Sequence, residues 1–165
     1  MTTVYTIGYE GAALTDFIAT LQSVGVLHVL DVRELPQSRR PGFSKNALAQ
    51  ALAEAGIDYS HSKQLGDPKH GRDAARRGDI EEFKAIFEAH MDLSASKDAL
   101  QSAAELVSRQ PTVLLCYERN PKDCHRSIVA RRMTGLLSIE IAHIGVRPHV
   151  CRKDDAPGAT ASGYA

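Results

Sequence analysis

The sequence predicts a single α/β domain with a mostly parallel sheet and helices on both faces. Three observations predict it. Short β-branched or apolar runs alternate with stretches of helical periodicity. One run, TVLLCY at residues 112–117, is apolar almost throughout, as a strand covered on both faces should be. A chain of 165 residues, 43% hydrophobic and 24% charged, has the size and composition of one globular core.

The elements follow in order. Residues 2–7 form a β-branched run that stops at Gly8, a strand followed by a turn. Thr15 is placed to cap a helix that buries Phe17, Ile18, Leu21 and Val24 and stops at Gly25. Residues 27–32 (LHVLDV) read as a second strand. Residues 33–43 hold two prolines and a glycine and read as a loop. Ser44 caps a second helix, which uses Leu48 and Leu52 and ends near Gly56; residues 57–60 make a short strand. Residues 61–78 show no apolar periodicity and are expected to form a long functional or mobile loop. Asp79 caps a helix with Ile80, Phe83, Ile86, Phe87 and His90 on one face, and residues 96–110 form another. After the strand at 112–117, residues 124–137 make a helix burying Ile128, Val129, Met133 and Leu136. Residues 138–144 are the last strand. The domain is expected to span 1–146. Residues 147–165, poor in apolar side chains, read as a C-terminal tail.

Equal numbers of basic and acidic residues, 20 each, give a formal net charge of zero. That argues against a broad nucleic-acid surface and leaves room for a local basic pocket. The residues show no membrane span and no signal-peptide layout, and three cysteines make a poor disulfide framework; a cytoplasmic protein is expected. No oligomeric state is assigned.

Right-handed crossovers place the loops that follow parallel strands along one sheet edge, where ligands of open α/β sheets bind. Three such loops concentrate the polar residues: Gly8-Tyr9-Glu10-Gly11, residues 31–45 and residues 116–127. Two of them lead into helices, whose N-termini offer unpaired N–H donors to an anion. Arg33, Arg39 and Arg126 are therefore expected to clamp an anionic small molecule or nucleotide. Gly8, Asp31, Ser38, Lys45, Tyr59 and Cys124 are further candidate binding positions. Cys116, Glu118 and His125 are the candidate catalytic residues: a nucleophile and two groups able to move a proton. Each has a plainer reading. The arginines pair with Asp31, Glu34, Glu118 and Asp123; Cys116 is a small buried hydrophobe; Asp31 and Glu118 orient the arginines. Ser44 does nothing beyond capping. The basic residues Lys63, Lys69, His70, Arg72, Arg76 and Arg77 either face water or form a lid or a contact to a longer anionic chain.

The segments TIGYEG, DVRELPQSRRPGFSK, GIDYSH, QLG, LLCYERNPKDCHRSIVA and HI stand in this order between about residues 3 and 144. The combination resembles the domain of unknown function 488 family. The resemblance implies a compact α/β fold in an intracellular bacterial or archaeal protein and carries no established activity. It marks Gly8, Asp31, Arg33, Pro36, Ser38, Arg39, Phe43, Lys45, Tyr59, Leu65, Gly66, Cys116, Glu118, Cys124, His125 and Arg126 as signature positions. Family members often carry a second glycine after the Leu-Gly pair, where this chain has Asp67.

Sharper motifs do not fit. DVRELP is similar to the strand-end DVR of sulfurtransferases, but the residue six after Cys116 is Lys122, not the arginine of a C-x5-R cradle. No Walker loop or G-x-G-x-x-G is present. A zinc site of Cys116, Cys124 and His125 lacks the paired C-x2-C spacing, so the sequence assigns no metal and no cofactor. Three functions remain open: an enzyme acting on a phosphate-bearing small molecule, nucleotide or nucleic-acid end; a non-catalytic anion-binding module; and a structural domain whose polar loops brace each other.

Overall fold

The computed structural model describes residues 1–148. Five strands form one all-parallel sheet in the order β3-β2-β4-β1-β5. They are β1 (Thr2–Gly8), β2 (His28–Asp31), β3 (Asp58–His61), β4 (Thr112–Cys116) and β5 (Ile139–His143). Six helices surround the sheet: α1 (Leu14–Val24), α2 (Lys45–Glu54), α3 (Lys69–Arg76), α4 (Ile80–Met91), α5 (Ser94–Arg109) and α6 (His125–Met133). None of the described helices is long and apolar enough to cross a membrane.

The apolar strand 112–117 is the centre of the sheet, and all five residues of β4 are buried. Its side chains alternate between two cores. Val113 and Leu115 join Phe17, Leu21, Leu48 and Leu52 of α1 and α2. Leu114 and Cys116 face the other way, toward Phe83, Phe87, Val107, Val129 and Met133 of α4, α5 and α6. This alternation puts the Cys116 sulfur on the α6 side of the sheet.

Several expected boundaries move. The first helix begins at Leu14 behind Ala13, so Thr15 lies inside the first turn and caps nothing; Gly25, at φ 79°, does end it. Ser44 occupies the N-cap of α2, but its hydroxyl does not cap the helix. It accepts the Ser38 N–H at 3.1 Å and donates to the Ser38 carbonyl at 3.2 Å, closing the loop before the helix. Asp79 caps α4 as expected, accepting the Glu82 N–H at 3.1 Å. Ile80, the first residue of α4, is more than one-third exposed, and Leu136 is about half exposed because α6 ends at Met133.

The largest departure is at residues 61–78, expected to be structureless. They form a 3-10 turn at Lys63–Leu65 and then α3. The buried face of α3 consists of Gly71 and Ala74, and its remaining positions are mostly charged. A helix that docks through such small residues leaves no periodic apolar signature. Leu65 fills the core, and His90 and Ser96 both reach the Gln64 carbonyl, at 2.7 and 3.3 Å. Of the expected tail, Arg147 is tied by its N–H to Thr20 Oγ1 at 3.0 Å; residues 149–165 lie outside the described region.

Candidate functional site: a groove over a cysteine pair

The ends of β1, β2 and β4 meet at one edge. Gly8 pairs with Cys116 and Asp31 with Leu115. Beyond the ladder the two loops continue to bond, Tyr9 N–H to the Cys116 carbonyl at 3.2 Å and Glu10 N–H to the Tyr117 carbonyl at 2.9 Å. Gly8 makes this closeness possible. A Cβ there would lie 1.8 Å from the Glu118 carbonyl oxygen. Its role is to admit the neighbouring backbone, and it does not line the groove described below.

Two arginines expected to clamp a ligand are engaged inside the protein. Arg33, 6% exposed, forms a two-point pair with the fully buried Asp31 through Nε (2.9 Å) and Nη2 (2.7 Å). Its Nη1 donates to the Phe43 carbonyl (2.8 Å) and to Tyr9 Oη (3.2 Å), and Tyr9 stacks on Phe43. Tyr59 completes the cluster by donating to Asp31 Oδ2 at 2.5 Å. Burial and the Asp31 carboxylate both push the Tyr59 hydroxyl above its ordinary range. Burial opposes the Arg33 charge, but its bonds to Asp31 outweigh that and hold it above the usual arginine value.

Arg126 is fully buried. Its Nε donates to Thr6 Oγ1 (3.0 Å), Nη1 to the Glu118 carbonyl (2.5 Å) and Cys116 Sγ (3.1 Å), and Nη2 to the Arg119 carbonyl (3.3 Å). Burial lowers it to about 10, partly offset by Glu118. The expected cup of Arg33, Arg39 and Arg126 is therefore not assembled. Only Arg39 of the three stands exposed at the groove. The physical reason is local: Asp31, two residues before Arg33, captures it, and backbone carbonyls of the 116–127 loop capture Arg126.

His125 is buried at the start of α6. Its Nε2 is 2.6 Å from the Val32 carbonyl, which can only accept, so Nε2 carries the proton. Nδ1 then presents its lone pair toward Cys124 Sγ, 3.7 Å away. Burial lowers the imidazole to about 4 and keeps it neutral. Cys124 is the N-cap of α6, its sulfur accepting the Arg126 N–H at 3.5 Å. Cys116 and Cys124 are joined as a disulfide, although three cysteines read as a poor disulfide framework. The bridge ties a strand end to a helix start eight residues on, a proximity set by the fold and invisible in a cysteine count. The Glu118 carboxylate stands 3.5 Å from Cys116 Sγ, and burial raises it above its ordinary range.

Above these residues lies a groove of about 1480 Å³. Arg33, Ser38, Arg39, Cys116, Glu118 and His125 line it, whereas Asp31, Lys45, Tyr59, Cys124 and Arg126 do not. One wall is the loop carrying Arg39 and Arg40; the other is α3 with Arg72 and Arg76. Arg40 is bonded to the Ala12 carbonyl, and Arg72 to Glu34 (2.6 Å) and the Asp67 carbonyl (2.7 Å). Among the described residues Arg76 has only an exposed pair with Asp73. Tyr117, Leu35 and Ile80, all exposed, give the groove apolar surface.

The groove also holds a residue that the sequence reading did not select. Asp67 is 5% exposed, and its Oδ1 has no hydrogen-bond partner among the described residues. Burial raises its carboxyl to about 7; Arg72 opposes this, and Glu118 and Glu34 add to it. Its signal in the sequence was its place after Leu65-Gly66, where the resemblance pointed to glycine. Gly66 is itself required there, because a Cβ would come within 2.3 Å of the Glu34 nitrogen.

Together these features define an all-parallel α/β domain whose groove, part charged and part apolar, opens over the carboxyl ends of its central strands. Residues 13–133 match the domain of unknown function DUF488, and the chain belongs to that family. No curated protein and no solved structure matches it significantly.

Proposed function

We propose that the groove binds a phosphate-bearing ligand, a nucleotide or similar small molecule, and carries out proton transfer on it. The observation that supports this best is that exposed Arg39 and Arg76 line the same groove as the buried Asp67 carboxyl, whose Oδ1 has no hydrogen-bond partner among the described residues. A guanidinium fork suits phosphate oxygens, and the half-exposed Tyr117 ring offers a face for a base. Asp67, holding its proton up to about pH 7, is suited to protonate a leaving oxygen while water attacks phosphorus. Titration calorimetry with pyrophosphate and mononucleotides tests the binding step. Arg39→Ala and Arg76→Ala should each weaken binding about 10-fold, as loss of a charge-assisted hydrogen bond does. Asp67→Asn should keep binding and lose turnover on a phosphoester panel. Binding without turnover in the unaltered chain would favour a sensor module. Affinity unchanged in both arginine variants would overturn the groove assignment.

A further inference from the structure

We infer that, once the Cys116–Cys124 bridge is reduced, Cys116, Cys124 and His125 form a binding site for a thiophilic divalent metal ion such as zinc, with its open side toward the groove. The three ligand atoms lie within 4.8 Å of one another, and all three residues are buried. The histidine is already set for the task. Val32 holds its Nε2–H at 2.6 Å, the backbone-carbonyl support that metal-bound imidazoles commonly have, and leaves Nδ1 free to coordinate.

The distances suit a tetrahedral ion. With zinc–sulfur bonds of about 2.3 Å and zinc–nitrogen bonds of about 2.0–2.1 Å, a sulfur and a nitrogen on one ion lie about 3.6 Å apart. Cys124 Sγ and His125 Nδ1 are 3.7 Å apart already. Two sulfurs on one ion lie about 3.8 Å apart on the same basis. The cysteine Cα atoms stand 7.4 Å apart, wider than the roughly 4.4–6.8 Å usual across a disulfide. A sulfur–sulfur spacing that opens to metal-bridged length fits that span.

The charges also balance. Two thiolates and a divalent ion sum to zero, and the buried Arg126 guanidinium, 3.1 Å from Cys116 Sγ, is offset by Glu118, 3.5 Å from the same sulfur. Arg126 supplies N–H donors to both sulfurs, which steadies them as thiolates. Cys116 and His125 line the groove, so a fourth ligand, water or a substrate atom, would approach from there. Three protein ligands with one open position is the arrangement of a catalytic metal site.

The chemistry of loading is explicit. A phosphine reductant cleaves the S–S bond, taking its oxygen from water and becoming the phosphine oxide, and water supplies the two thiol protons. Each thiol then releases its proton to solvent as its sulfur binds the ion.

The test uses the whole chain, reduced with phosphine under nitrogen, with free thiols counted, and titrated with cobalt(II). One equivalent should produce thiolate-to-cobalt charge-transfer absorption with tetrahedral ligand-field bands, and zinc should abolish both. Loss even of a supporting hydrogen bond costs about 10–100-fold in metal affinity. Cys116→Ser and Cys124→Ser should therefore weaken binding by more than about 100-fold, and His125→Gln by at least about 10-fold, with Cys151→Ser unaffected. The reduced unaltered chain suffices to overturn the inference, without any variant needing to fold. Free thiols with no charge-transfer band would do so, and so would a band lost only in Cys151→Ser. Arg39→Ala and Arg76→Ala should retain the band, which separates this site from the phosphate groove.

Discussion

Removing the Asp31 carboxylate should expose how much of the expected anion site is internal bracing. Asp31 is fully buried and accepts four hydrogen bonds: from Arg33 N–H (3.1 Å), Nε (2.9 Å) and Nη2 (2.7 Å), and from Tyr59 Oη (2.5 Å). In Asp31→Ala the Arg33 guanidinium keeps only its Nη1 bonds to Phe43 and Tyr9, at a position 6% exposed. Breaking a buried pair by removing one partner costs about 3–5 kcal/mol, and the stranded Tyr59 hydroxyl adds about 1 kcal/mol. At about 2–4 °C per kcal/mol for a chain of this size, Tm should fall by roughly 8–24 °C. The assay is thermal and urea unfolding by circular dichroism, run with Asp31→Ala/Arg33→Met as the double variant. Removing both charges leaves no uncompensated cation, so the double variant should recover at least ~2 kcal/mol over Asp31→Ala. If Asp31→Ala unfolds within ~1 kcal/mol of the unaltered chain, the pair is not a brace and Arg33 is free for a ligand.

Other consequences follow from the same contacts. Gly8→Ala places a Cβ 1.8 Å from the Glu118 carbonyl oxygen, a backbone atom that cannot swing aside. Overpacking of this kind costs about 1–3 kcal/mol, read as a lower urea midpoint; an unchanged midpoint would mean that the 116–119 loop shifts freely. Asp67 should make stability pH-dependent. Its folded value of about 7 lies above the ordinary 3.8, so its contribution is full below about pH 4 and is lost as pH rises through 7. Asp67→Asn carries no such titration. Its stability relative to the parent should therefore rise between pH 4.5 and 8, by an amount on the order of a few kcal/mol. Parallel pH profiles for the two chains would show that Asp67 ionises as if in water.

How far the site could be read beforehand depended on the kind of signal. The strand at 112–117 announced itself by continuous apolarity, and Gly25 and Asp79 by ordinary helix-end chemistry. The meeting of the three polar loops followed from parallel topology alone. What the sequence did not show was direction. A guanidinium two residues from a carboxylate looks the same on paper whether it faces a ligand or folds back, and Arg33 folds back. Helix α3 was missed because glycine and alanine mediate its docking, and with it went the wall that carries Arg72 and Arg76. Asp67 was passed over as a departure from pattern, though a buried carboxyl directly after the required Gly66 is an unusual placement.

The two internal arginines have a consequence for whatever binds above them. Arg126 joins Thr6 of β1, Cys116 of β4 and two carbonyls of the following loop, while His125 joins α6 to the end of β2. The floor is therefore bonded to three neighbouring strands at once, so a ligand bound as proposed would need little reordering of it. The walls are different. Arg39 and Arg76 are long, exposed side chains, and immobilising each costs about 0.5–1.5 kcal/mol. Affinity should then be tunable at the walls with modest effect on the geometry below. Changes at Arg126 should disturb the cysteines even though its guanidinium does not line the groove. This division explains how a family signature dense in charged residues can sit on a domain of zero net charge without forming a positive cup. Much of that signature holds the floor still, and under the proposed function recognition would fall to Arg39 and to α3 residues outside the signature.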